Sequence, residues 1–387
     1  MKAHVLRHAR VWLAVLLLLS ILLNATWVAL NAGALRDYGS FIAAGKASST
    51  SDNPYGVYEN TFRVRYGDFD VDTPNLNPPV SIYPFKALAQ IDPYAGKTLL
   101  NLSSIAVFAG VIAALMRAYP DKRTPMMLLW ALSLAGFWHA IELGQVYMPL
   151  LAAVTAAWLL QDRRPVLAGL LIGLTIALKP NFVVWPLLLL LGGDRKTGAA
   201  ALATAAGISA IPLLIDGPRV YRQWLEASQD FGGLELPGNS AIVAMFARAG
   251  LPEAGIAVSV ALALALAVWA WRSGASKQEL SAAGITGALL LGPITWSGYS
   301  LFVLPVLLSR QWGNWERATA TLLAFPFWLV LLLMLTNQVT YMLLGPVYGW
   351  GLLIMLGLIA GDTYRRKHPA AQDAATPATG EPAALAA

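Results

Sequence analysis

The chain has 387 residues, of which 57% are hydrophobic and 12% charged, with a net charge of +6. So little polar surface cannot wrap a water-soluble globule, so most of the chain is expected in lipid, and the positive charge reads as membrane topology rather than affinity for nucleic acid. There is no cysteine and the four histidines are scattered, which excludes disulfides, thiol catalysis and cysteine-ligated zinc; no metal or cofactor is expected.

Apolar runs recur from Val11 to Ala360 without the period-two alternation of a barrel, so the expected fold is all-α, a polytopic membrane bundle of about twelve transmembrane helices. The first begins at Val11, behind the basic start MKAHVLRHAR, and its apolar region is too long for a cleaved signal peptide. Residues 31–94 follow as a long outer loop whose aromatic and acidic content favours a folded cap. Asp37 stands at its start, at the outer interface, where partial burial makes a carboxylate a better acceptor for a hydroxyl proton; the competing reading is a helix cap for a segment starting at Tyr38. Asp68, Asp70 and Asp72 in GDFDVD lack the glycine and closing glutamate of a calcium loop and read as a solvated acidic stretch. Pro78, Pro79 and Pro84 make the segment from Pro78 to Gln90 a poor spanning helix but a reasonable interfacial one.

Further helices are expected from about Ala95, Pro125, Tyr147, Val166, Phe182 and Gly198. At the outer end of the Pro125 helix, His139, Glu142 and Gln145 recur at intervals of three and are expected on one helix face. They could line a cavity that binds sugar hydroxyls or make helix contacts. Lys179 ends the Val166 run just before Pro180. A lone ammonium near hydrocarbon points to an anionic partner such as a lipid phosphate; snorkelling to the interface and pairing with Glu142 are the open alternatives. Residues 216–253 form a second long outer loop carrying Asn239 and Ser240. Helices from about Ala254, Ser281, Leu301, Ala318 and Tyr341 complete the series, with Trp296 and Tyr299 on the outer side, where an aromatic girdle would also place them. Residues 1–368 thus read as one transmembrane domain, and 369–387, rich in Ala, Pro and Thr, as a disordered cytoplasmic tail.

With the N-terminus inside, every even-numbered helix returns at a basic cluster: Arg117/Lys122/Arg123, Arg163/Arg164, Arg195/Lys196, Arg272/Lys277, Arg310/Arg317 and Arg365/Arg366/Lys367. Both termini are then cytoplasmic and both long loops lie outside.

Several segments in order carry a resemblance: DYGSFIAAGKA, NPYGVY, NPPVSIYPFKALAQIDP, GQVYMPLLAA with AGLLIGLTIALKP, GNSAIVAMFARAG and GPITWS. Together they resemble glycosyltransferase family 87, over Asp37 to about Leu308. The resemblance implies the C-type membrane glycosyltransferase fold in a bacterial plasma (inner) membrane. It also implies transfer of a sugar, often mannose, from a polyprenyl phosphate carrier to a glycolipid or glycan acceptor outside the cytoplasm. By that resemblance Asp37 is the base for an inverting transfer, Lys179 steadies the departing lipid phosphate, and Gln145, His139, Asn239 and Trp296 line the donor pocket, with Glu142 and Tyr299 beside them. Where many members carry histidine just after the Trp of this motif, this chain has Ser297, Gly298 and Tyr299, leaving His139 or Tyr299 to compensate. A transporter or flippase for lipid-linked substrates is the rival from another class, but transporters place ionisable groups near the midplane and repeat their halves. A non-catalytic membrane subunit is a third reading.

Overall fold

The computed structural model describes residues 2–367. The Ala/Pro/Thr-rich segment expected to be a disordered tail lies outside the described residues.

Helix α1 (Lys2–Leu30) presents an almost wholly exposed apolar surface from Val11 onward, with Trp12, Leu16 and Leu22 all uncovered, as a lipid-facing helix does. The chain then enters α2 (Arg36–Ser49) through Arg36, which holds a φ of 53°. The first long loop folds into a cap, as expected, but includes an antiparallel hairpin of β1 (Phe62–Tyr66) and β2 (Phe69–Thr73) that the all-α expectation did not contain. The hairpin is tied to α2 by Ser40, whose hydroxyl accepts from Phe62 N at 2.9 Å and donates to Thr73 O at 2.7 Å. Its acidic run is partly cross-paired: Arg63 faces Asp72 in the register, and its Nε lies 2.7 Å from the Asp72 carboxylate. Helix α3 (Ile82–Leu88), too short to cross a bilayer, packs on α2 with Phe41 and Phe85 stacked at 4.6 Å.

Helix α4 (Pro93–Ala118) starts at Asp92, whose carboxylate caps Tyr94 N and Ala95 N. Helices α5 (Pro125–Ser133) and α6 (Ala135–Leu143) form one pair bent by 43°. The short α7 (Tyr147–Leu160) and α8 (Pro165–Leu178) follow, and after a tight turn at Pro180 come α9 (Val184–Leu191), α10 (Arg195–Ile215) and the amphipathic α11 (Pro218–Gln229). Helices α8 and α10 pack backbone to backbone, because a Cβ on Gly169 or Gly173 would stand 2.6 or 2.5 Å from atoms of α10; the GxxxG spacing puts both glycines on one face.

The remainder comprises α12 (Ile242–Ala247), α13 (Pro252–Arg272), α14 (Lys277–Leu291), α15 (Leu304–Leu308), α16 (Asn314–Leu323), α17 (Phe327–Met334), α18 (Gln338–Leu344) and α19 (Val347–Lys367). Helix α17 bends 81° away from α16.

Each of the twelve expected starts falls within helical structure, although α1 already begins at Lys2 and Phe182 and Leu301 lie within short 3-10 segments. Among the described residues five helices are long and apolar enough to cross a membrane (α1, α4, α10, α13 and α19), and seven if the bent pairs α5–α6 and α16–α17 each count as one. The remaining runs are shortened by Gly and Pro breaks at Gly144, Pro180 and Pro293. Residues of α7, α14 and α15 form much of the buried core, while the longer helices surround them with exposed apolar faces. A helical membrane protein results.

Two ends of the bundle are distinguishable. The C-terminal turn of α19 lies in an ion-pair cluster in which Arg366 meets Glu279 at 2.8 Å and Arg310 meets Asp362 at 2.6 Å and Glu316 at 3.2 Å. The N-terminal turn of α19, about 30 Å away along its axis, packs through Gly349 against Ser240 in the second long loop.

Candidate active site

At that second end a cavity of about 740 Å³ opens between the first-loop cap, α6, the Lys179 turn, α11, the segment from Pro293 to Trp296, and α17. Asp37 and Lys179 both line it, although 142 positions separate them (179 − 37).

Asp37 lies in the first turn of α2, which begins one residue earlier, and its side chain caps nothing. Its carboxylate instead accepts a hydrogen bond from Gln145 Nε2. Burial pushes its pKa up from 3.8 to about 6, against the pull of the Gln145 hydrogen bond and the Lys179 charge. A group so placed is largely ionised at neutral pH yet basic enough to take a hydroxyl proton.

Gln145 reaches Asp37 because α6 ends in Gly144, whose φ of 69° turns the chain out of the helix. The expected single face of His139, Glu142 and Gln145 is therefore corrected: the first two are on α6, Gln145 is beyond its break, and all three meet on the cavity wall. Glu142 accepts from Trp27 Nε1 at 2.9 Å and lies 3.5 Å from Arg36, so its ion partner is Arg36 and not Lys179. His139 stacks on Phe327 of α17, centroids 4.0 Å apart, and its Nδ1 makes a hydrogen-bond contact with Ser297 Oγ. The imidazole thus reaches the position just after Trp296.

Lys179 follows α8 directly and its side chain is buried rather than extended to open solvent. Its Nζ donates to Asn77 Oδ1 at 2.8 Å and lies 5.0 Å from the Tyr299 ring centroid and 5.3 Å from that of Tyr147. Among the described residues no carboxylate is within ion-pair distance of it. Trp296 and Tyr299 also line the cavity.

Asn239 does not. Fully buried, it donates to Leu234 O and Pro293 O and accepts from Ala241 N and Thr295 N, which buckles the second long loop to the segment carrying Trp296. Its role in this structure is to shape the wall.

Sequence reasoning missed Arg36, Asn77 and Lys97. Arg36 lines the cavity beside Asp37. Lys97, buried in α4, donates to Ala34 O and Glu142 O and so ties together the two segments that carry Asp37 and Gln145. A lysine inside an otherwise apolar run was its only signal; Asn77 sat unremarked before Pro78.

A helical membrane bundle whose cavity holds a carboxylate and an ammonium without an ion-pair partner among the described residues has the groups of an enzyme active site. The sequence comparison sharpens that class: residues 75–294 match the model of glycosyltransferase family 87, and the chain belongs to this family of glycosyltransferases. The match takes in His139, Glu142, Gln145, Lys179 and Asn239, while Asp37, Trp296 and Tyr299 fall outside it. No curated protein and no solved structure matches the chain.

Proposed function

We propose that this glycosyltransferase moves a hexosyl group, with mannose the first sugar to test, from a polyprenyl phosphate to the hydroxyl of a glycolipid or glycan acceptor. Asp37 accepts the acceptor's hydroxyl proton as its oxygen attacks the anomeric carbon. The bond from that carbon to the phosphate oxygen breaks, its electron pair leaves with the lipid phosphate, and Lys179 stabilises the charge released. Attack opposite the leaving phosphate inverts the anomeric centre. Gln145 holds the Asp37 carboxylate, while Trp296, Tyr299 and His139 offer stacking faces and hydrogen bonds for the sugar. No soluble nucleotide is needed, since the polyprenyl phosphate already activates the sugar.

The observation that carries this reading is one cavity shared by a basic carboxylate and a buried cation that has no carboxylate within ion-pair distance among the described residues. The reading extends to a C-type fold of about twelve crossings in a bacterial plasma membrane. The basic clusters support a topology with the ion-pair end and both termini in the cytoplasm and the cavity outside. Its position at one end of the bundle suits a membrane-borne donor better than a transport path through the midplane.

The test is transfer from radiolabelled polyprenyl-phosphate mannose, and a panel of other polyprenyl-linked sugars, by purified protein. Asp37→Asn should lower transfer by about 10²- to 10⁴-fold while retaining donor binding. Unchanged transfer in the variant would remove Asp37 from the mechanism.

A further inference from the structure

A cation taken out of water normally acquires a carboxylate, since burial of an unpaired charge is unfavourable. Among the described residues Lys179 has no carboxylate within ion-pair distance: the Asp37 charge acts on it only from farther off, and its direct contacts are neutral. Asn77 Oδ1 and the faces of Tyr147 and Tyr299 all attract the ammonium, and none cancels its charge.

Asn77 is itself fixed from several directions. Its backbone N and its Nδ2 both donate to Asn75 Oδ1, at 3.1 and 2.9 Å. Tyr55 Oη donates to Asn77 O at 3.2 Å, and Trp224 Nε1 of α11 donates to the neighbouring Leu76 O at 3.0 Å. With Nδ2 committed to an acceptor and Lys179 able only to donate, the carboxamide has one satisfactory orientation. That orientation presents its oxygen to Nζ.

We propose that Asn77 is a positioning residue for donor binding, which holds Lys179 on the cavity wall without neutralising it, so that the donor's phosphate supplies the missing counter-charge. This rests on the reading of Lys179 as the phosphate's partner. An aspartate at the same position would hold the ammonium at least as well and would occupy the vacancy that the ligand needs. The amide is therefore a functional choice of residue, not simply a hydrogen-bond acceptor of the right size.

The experiment compares wild type, Asn77→Asp and Asn77→Ala for donor KM, kcat and thermal stability in detergent, and for binding of the sugar-free polyprenyl phosphate. Asn77→Asp should raise KM and weaken polyprenyl phosphate binding on the order of a hundredfold, and Asn77→Ala by about tenfold or less, with kcat changed less than KM in both. A merely structural role makes the loss of donor binding follow the loss of thermal stability in both variants, since aspartate, like alanine, forfeits the donor to Asn75 Oδ1. KM and binding losses that merely track the stability losses, or a KM unchanged in Asn77→Asp, overturn the proposal. Absence of transfer by wild type with every lipid-linked sugar would refute the proposed function. The proposal on Asn77 would then stand or fall on polyprenyl phosphate binding: the stated order upholds it, and no binding by wild type overturns it.

Discussion

Asp37 titrates at about 6 rather than at 3.8, so between those values the folded protein keeps a proton that the unfolded chain has released. Stability is greatest below the unfolded value and declines as the pH rises through the folded one. Catalysis runs the other way. If Asp37 is the base, kcat/KM should fall about tenfold per pH unit below 6 and level off above it, and a limb near 4 would show that burial does not set the group's basicity. The same linkage predicts that Asp37→Asn, although its transfer is much reduced, melts higher than wild type at pH 7.5 and shows no such gain at pH 4. A melting temperature lowered equally at both pH values would instead mark Asp37 as a structural group. Asp37 was legible as a candidate because it follows a spanning helix at the interface, although a cap for a helix starting at Tyr38 was an equal reading from the sequence. Its partners were not legible: Gln145 lies 108 positions away and Lys179 meets an asparagine 102 positions away, and neither pairing follows from local spacing.

Among the elements, the end of α6 connects the fold most directly to the chemistry. Gly144 adopts a φ of 69°, and a Cβ there would stand 2.7 Å from Tyr38 Cβ. Tyr38 adjoins Asp37 and Gly144 adjoins Gln145, so a methyl group at this point pushes apart the two segments joined by the Asp37–Gln145 hydrogen bond. Gly144→Ala should cost about 1–3 kcal/mol from backbone strain alone and reduce transfer beyond what that loss of stability explains. Gly33→Ala, with nothing within 4 Å of its added Cβ, is the matched control and should leave both unchanged. Equal activity in the two variants would mean that the hydrogen bond does not need this turn. A glycine after an apolar helical run is a stop signal, and attending to it would have taken Gln145 off the shared face. The hairpin had a signal as well, since Phe62, Val64 and Tyr66 alternate with Arg63 and Arg65 before the Gly67 turn. Charge density obscured it, because alternation over so few residues weighs little beside an acidic run. The apolar spans were legible for the opposite reason: lipid demands long, continuous runs, and their signal accumulates over each helix.

For the whole molecule, the decisive variable is which side of the membrane the cavity faces. Gln161 O accepts from Lys277 Nζ at 3.0 Å, which puts the α7–α8 turn at the same end as the Glu279–Arg366 pair, while the hairpin lines the opposite, cavity-bearing end. Basic residues concentrate at the first of these ends. Because the chain contains no cysteine, single cysteines report topology without background. Asp70→Cys on the exposed hairpin should react with a membrane-impermeant maleimide on intact cells, whereas Arg163→Cys in the α7–α8 turn should react only after permeabilisation. The opposite pattern would put the cavity in the cytoplasm. A polyprenyl phosphate carrier would then lose its rationale, since a water-soluble nucleotide sugar could reach the same site, although the sequence contains no glycine-rich phosphate-binding motif. The expected pattern would leave the cavity where a lipid-borne donor can supply an activated sugar, and would give Lys179, which has no carboxylate within ion-pair distance among the described residues, a phosphate to meet on that side of the bilayer.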